Sequence, residues 1–123
     1  MSRLTIYTLR QCSTCREAVK WLSVHKIDFE EKAIRETPPA LAELRTMLAA
    51  HKGEVRRLFN SSGLEYRALG LAKKLPALTM DEKLGLLAGN GSLVKRPFVI
   101  GAGVALVGFD EDKWSAAFSG AKG

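Results

Sequence analysis

The sequence predicts an α/β fold in which a four-stranded mixed sheet carries a helical insertion between its second and third strands. Three observations predict it. An apolar strand runs directly into a cysteine-bearing amphipathic helix, a second strand follows, and two β-forming runs joined by glycines return after a helical middle third. The 123 residues suit one domain with a single core. The helical insert is placed at about residues 38–90.

Leu4 and Ile6, with the β-favouring Thr5, Tyr7 and Thr8, read as a short buried strand. Cys15, Ala18, Val19 and Leu22 recur at i, i+3, i+4 and i+7 and predict a helix to about Lys26 with those residues inward. Cys12 then lies at the exposed helix mouth, and Cys15 is sheltered one turn in. Ile27 to Ile34 follows as a second strand, although Phe29, Glu31 and Ala33 alternate imperfectly. Strand, helix and strand in about thirty residues require a parallel pair with a right-handed crossover.

In the middle third, Thr37-Pro38-Pro39 supplies an N-cap and first-turn prolines for a helix with the stripe Leu41, Leu44, Met47 and Leu48, and Gly53 stops it. Val55, Leu58 and Phe59 start another helix, Asn60-Ser61-Ser62-Gly63 breaks it, and Leu64 to Leu71 reads as one further helical piece. Thr79 and Glu82 have capping-box spacing, opening a helix through Leu84, Leu86 and Leu87 that ends at Gly89-Asn90-Gly91. Gly89-Asn90-Gly91-Ser92 reads as a turn, since it lacks the Gly-Lys-Ser/Thr ending of a phosphate loop. Phe98-Val99-Ile100 and Val104-Ala105-Leu106-Val107 flank the three-residue turn Gly101-Ala102-Gly103, a hairpin signal. Gly108 and Asp110 introduce a terminal helix with Trp114, Ala117 and Phe118 inward, and Ser119 to Gly123 is expected to fray.

Cys12 and Cys15 are the chain's two cysteines, spaced C-x-x-C where a strand gives way to a helix. A helix N-terminus presents unpaired N–H groups and a partial positive charge, which favours anions there, and the thiolate is the form that attacks sulfur. Arg10 and Arg16 flank the motif with further positive charge. A buried inert pair and a metal pair are the competing readings, but His25 and His51 complete no standard zinc spacing.

Composition narrows the class. The net charge of +6 is spread along the chain in pairs such as Arg56-Arg57 and Lys73-Lys74, interleaved with acids, and no recognised nucleic-acid motif accompanies it. Direct nucleic-acid binding is therefore not expected. No apolar run approaches the roughly 20 residues of a membrane helix, and Met1-Ser2-Arg3-Leu4 lacks the apolar core of a secretion signal. A cytoplasmic location is expected, where thiols are kept reduced and a lone cysteine pair is catalytic or sensing more often than structural.

The order of strand, cysteine helix, strand, helices, hairpin and helix is thioredoxin-like, and four segments resemble the ArsC/Spx family of arsenate reductase-related proteins. They are Cys12-Ser13-Thr14-Cys15-Arg16-Glu17-Ala18, Leu58 to Arg67, Lys95-Arg96-Pro97-Phe98-Val99-Ile100, and Val107-Gly108-Phe109-Asp110-Glu111-Asp112. The resemblance implies Cys12 as the nucleophile, Arg96 as an arginine that holds an oxyanion, and Pro97 as the proline that such folds keep in cis beside the site. Arg10, Ser13, Thr14, Arg16, Asn60 and Pro97 are the candidate residues around the substrate. Two departures stand out. Of three arginines in arsenate reductases, Arg96 remains, while the other positions fall at Asn60 and near Gly108. Cys15 stands where arsenate enzymes that rely on an external thiol lack a cysteine, whereas redox-sensing regulators of the family carry C-x-x-C.

The expected function is that of a cytosolic thiol-disulfide oxidoreductase in which Cys12 attacks and Cys15 resolves. Glutathione or another cellular thiol is the reductant, a small thiol or protein disulfide is the substrate, and no bound cofactor or metal is expected. The alternatives are a redox-switched regulator that binds RNA polymerase and a true arsenate reductase. The chain is expected to be a monomer.

Overall fold

The computed structural model describes residues 3–121. In chain order the elements are β1 (Leu4–Thr8), α1 (Ser13–Val24), β2 (Phe29–Ala33), α2 (Leu41–Ala50), α3 (Leu64–Ala68), α4 (Leu71–Lys74), α5 (Met80–Gly89), β3 (Phe98–Gly101), β4 (Val104–Val107) and α6 (Glu111–Ala121). Short 3₁₀ turns occupy Val55–Leu58, Leu75–Ala77 and Gly91–Leu93. The chain divides into two compact units, one built from its two ends up to Ala33 and from Arg96 onward, the other from Ile34–Lys95.

The first unit holds the sheet, in the order β2-β1-β3-β4. β1 runs parallel to β2, with Leu4 beside Phe29 and Thr8 beside Ala33, while β3 is antiparallel to both β1 and β4. Leu4, Ile6 and Val99 share one face of the sheet and pack with Ala18, Trp21 and Leu22 of α1 and Trp114 and Phe118 of α6. Each fully buried side chain of this kind stabilises the fold by about 1.5–3 kcal/mol. The indole of Trp114 donates to the Gly108 carbonyl at 3.1 Å, so its burial leaves no unmet donor. β2 is an edge strand whose exposed Glu30 and Glu31 discourage further pairing.

Several boundaries differ from expectation for local reasons. α1 stops at Val24 because Lys26 adopts a left-handed φ of 56°, and the Lys26 and Ile27 amides return to the Ser23 and Leu22 carbonyls. The hairpin turn has two residues instead of three. Ala102 and Gly103 both take positive φ, as a type I′ turn demands, and Gly101 stays in the ladder opposite Val104. α6 continues past Ser119 to Ala121, held by the buried Phe118; Lys122 and Gly123 lie outside the described residues.

The second unit is the helical insert. α2 begins after Ala40, so Pro38 and Pro39 lie ahead of the helix and Thr37 is not its cap. Glu43 supplies half of a capping box by accepting the Ala40 amide at 3.0 Å, since alanine has no side-chain oxygen to complete it. The stop near Gly53 places Lys52 in the left-handed position, with the Gly53 amide bonded to the Leu48 carbonyl at 2.9 Å. Val55–Leu58 is a 3₁₀ turn, not an α-helix, and the piece from Leu64 to Leu71 is broken at Gly70, where φ is 66°. α5 opens with the full capping box: Glu82 donates its amide to Thr79 Oγ1 at 3.1 Å and accepts the Thr79 amide at 2.8 Å.

Candidate active site

The end of β1 and the start of α1 position the cysteines. A turn, closed by the Cys12 amide on the Leu9 carbonyl at 3.0 Å, carries the chain from the strand into the helix. Cys12 is then the N-cap of α1, with extended backbone angles and a sulfur that accepts the Cys15 amide at 3.3 Å. The sulfur does what a serine or aspartate oxygen does at other helix starts. Cys12 is half-buried, Cys15 is fully buried, and both are free thiols.

Burial, the largest influence, pushes the Cys15 thiol up from an ordinary 9.0 to about 12. A backbone hydrogen bond at Leu9 opposes the rise, the hydrogen bond and charge of Cys12 add to it, and the charge of Arg96 opposes it. Cys15 therefore keeps its proton at neutral pH. The Arg96 charge therefore acts on the Cys15 thiol.

Arg96 is half-buried and joined to the buried Pro97 by a cis peptide bond, and the Pro97 carbonyl accepts the Gly108 amide at 2.9 Å. Ser13 and Thr14 are exposed in the first turn of α1. Arg10 and Arg16 line one cleft of about 320 Å³ with Thr8, Glu31 and Ala33. Arg16 is not a free cation there, because its guanidinium meets the Glu31 carboxylate at 2.6 Å. Thr8 Oγ1 donates to the same carboxylate at 2.5 Å. Partial burial would raise the Glu31 carboxyl, but the hydrogen bonds from Thr8 and Arg16 and the charge of Arg16 outweigh it and hold the group below its ordinary value.

Asn60 belongs to the insert unit, where its amide donates to the Leu93 carbonyl at 2.8 Å and its own carbonyl accepts the Gly63 amide at 3.0 Å. Thr8 and Glu31 are the residues that sequence reasoning passed over. Their signal was a polar residue closing an apolar strand and the imperfect alternation around Glu31. The two histidines are engaged locally: His25 stacks on Trp21 at 3.9 Å, and His51 Nδ1 donates to the Met47 carbonyl at 2.9 Å. Among the described residues, no group of three His, Cys, Asp or Glu could hold a metal ion. Nor is any of their helices long and apolar enough to cross a membrane.

The ArsC family model matches residues 7–117. The chain belongs to the ArsC family. It is 40% identical over 111 residues to the uncharacterized protein YusI of Bacillus subtilis strain 168, covering 90% of this chain and 94% of that protein. It is 31% identical over 110 residues to the global transcriptional regulator Spx of Enterococcus faecalis, covering 89% and 82%. The crystal structure of a possible arsenate reductase from Streptococcus mutans UA159 superimposes with a TM-score of 0.83 at 36% identity, covering 94% of this chain and 99% of that one. The fold is the thioredoxin-like α/β fold of the ArsC family, and the family resemblance expected from the four motif segments is met.

Proposed function

We propose that the protein is a thiol-disulfide oxidoreductase that uses Cys12 as nucleophile and Cys15 as resolving thiol. The observation that carries this reading is the asymmetry of the pair: the accessible Cys12 sulfur caps the helix, while the buried Cys15, pushed up to about 12, stays protonated. The Cys12 thiolate attacks one sulfur of a substrate disulfide, forming a mixed disulfide and releasing the other sulfur as a thiolate that takes up a proton. Cys15 then attacks the Cys12 sulfur, the substrate's remaining sulfur leaves as a thiol with the proton given up by Cys15, and a Cys12–Cys15 disulfide closes. Once Cys12 is in the mixed disulfide its charge is gone, which removes one of the influences holding the proton on Cys15. Two molecules of a cellular thiol, for which we propose glutathione, reopen the bond and carry away its two electrons as their own disulfide. The positive charge of Arg96 favours the Cys15 thiolate as it forms.

A second reading is favoured by the 31% identity to Spx: a redox-switched regulator that engages RNA polymerase. Turnover separates the two. Purified protein with excess glutathione and a glutathione-recycling system is expected to reduce a mixed disulfide of glutathione and 2-mercaptoethanol through many cycles per molecule. A single stoichiometric oxidation of Cys12 and Cys15 without cycling, together with retention of RNA polymerase on the immobilised protein, would establish the regulator instead.

A further inference from the structure

The first unit contains a second cleft, of about 540 Å³, that none of the chemistry above uses. One wall is α1, from which Glu17, Trp21 and Val24 line it together with the C-cap residue His25; Phe109 and Glu111 stand on the other wall. Its apolar floor is partly bare, since Val24 is 67% exposed and Phe109 is half-buried.

Two features tie this cleft to the cysteines. Ser13, Glu17, Lys20 and Val24 are spaced i, i+4, i+7 and i+11, so they form one stripe that starts beside Cys12 and descends α1 into the cleft. At about 1.5 Å per residue the stripe is about 16 Å long, the reach of about five extended residues. On the opposite wall, Phe109 follows Gly108, whose amide is bonded to the carbonyl of Pro97, next to Arg96, whose charge acts on Cys15. A chain joined through sulfur to Cys12 can therefore continue into the cleft without leaving the surface.

The charge of the cleft selects what that chain carries. Glu17 and Glu111 outnumber Lys20 at its edge, on a protein whose net charge is +6 and whose other cleft beside the cysteines holds Arg10 and Arg16. We propose that the cleft between α1 and α6 binds a segment of a protein disulfide substrate, within about five residues of its cysteine, that bears an apolar side chain next to a lysine or arginine. This rests on the oxidoreductase reading and names its substrate class: a polypeptide, with glutathione as reductant. The apolar side chain covers Val24 and Phe109, and the cation meets the two carboxylates.

The test uses the full chain and two ten-residue peptides, one with Leu-Lys and one with Ser-Asp about five residues from a single cysteine blocked by 2-mercaptoethanol. Serine-for-cysteine versions of both measure binding by titration calorimetry independently of any redox step. The Leu-Lys serine peptide is expected to bind at least tenfold more tightly than the Ser-Asp peptide. The double variant Glu17→Lys/Glu111→Lys and the single variant Val24→Asn should each erase most of that preference, leaving turnover of the small glutathione mixed disulfide unchanged. Equal binding of the two peptides, or a preference untouched by all three substitutions, overturns the proposal. Turnover of the small disulfide without peptide preference condemns the cleft alone. A peptide preference without turnover of any disulfide upholds the cleft as a peptide site and overturns the oxidoreductase reading instead.

Discussion

The Cys15 amide donates to the Cys12 sulfur at 3.3 Å, so the sulfur that caps α1 is also the more accessible of the pair. Alkylation of the native protein is therefore expected to modify Cys12 first, with Cys15 protected until the protein unfolds or Cys12 has reacted. Mass mapping after brief treatment checks the order. Cys15→Ser should accumulate a mixed disulfide on Cys12, and Cys12→Ser should accumulate none. Early labelling at Cys15 would reverse the assignment of roles.

Cys15 also gives stability a dependence on alkaline pH. Its folded value of about 12 lies above the ordinary 9.0, so the folded protein holds this proton more tightly than the unfolded chain does. The contribution is complete below about pH 9 and is lost as pH rises toward about 12. Urea melts of wild type and Cys15→Ala should show the wild type losing more stability across that window than the variant. Parallel declines would show that the burial of Cys15 does not govern its proton.

Glu31 works in the opposite direction on the pH scale. Its carboxyl is held below its ordinary 4.5 by Thr8 and Arg16, so its contribution is present above that value and disappears as pH falls through the lowered one. The Arg16 side chain is 47% exposed, which limits Glu31→Gln to a loss of no more than about 1 kcal/mol at pH 7. The difference from wild type should shrink steadily in melts taken to lower pH below 4.5. A variant equally destabilised at every pH would locate the effect in packing.

Arsenate is expected to be reduced at least a hundredfold more slowly than a mixed disulfide. An oxyanion beside a thiolate needs several fixed cations to offset the repulsion between them. Arg96 is one, Arg16 is neutralised by Glu31, and neither Asn60 nor Gly108 carries charge. Gly108 also has a φ of 74°, a conformation that an arginine adopts only under strain. Side-by-side assays with glutathione and glutaredoxin measure the ratio, and comparable rates that both collapse in Arg96→Ala would refute it.

Gly91 offers a test of the insert. A Cβ built there would lie 1.8 Å from the Ile34 carbonyl oxygen, a contact with backbone that no rotamer relieves. Gly91→Ala is expected to cost about 3 kcal/mol in a denaturant melt. Gly85→Ala, inside α5 with open space where the Cβ would go, should instead gain about 0.5–1 kcal/mol in helix propensity.

Features set by neighbours in the chain were legible in the sequence. Thr79 and Glu82 cap α5 as their spacing predicts, and the stripe Cys15, Ala18 and Leu22 is buried as its period predicts. What escaped depends on partners distant in the chain or on backbone signs that several residue types can adopt. Lys26 takes a left-handed angle usually left to glycine, so the end of α1 carried no glycine to mark it, whereas Gly53 marked that of α2. Gly101 reads as turn material, yet it pairs with Val104 in the ladder, and it is glycine because a Cβ there would meet the Arg3 carbonyl oxygen at 2.4 Å. Glu31 acquires its role only when β2 is laid beside β1 in a register that pairs Ile6 with Glu31 and brings Thr8 within reach. Of the candidate site, the cysteines and the Arg96-Pro97 pair could be located from motif alone; the engagement of Arg16 could not.

The aromatic packing of the first unit has a spectroscopic consequence. Trp21 and Trp114 are the chain's two tryptophans, they meet edge-on at 5.6 Å, and both belong to the unit that holds the sheet. Intrinsic tryptophan emission thus arises wholly from the sheet-bearing unit, whereas circular dichroism reads the helices of both units. When the two signals melt together the chain unfolds as one cooperative body, and when they part the gap between their midpoints measures how far the insert can come undone while the cysteine helix stays in place.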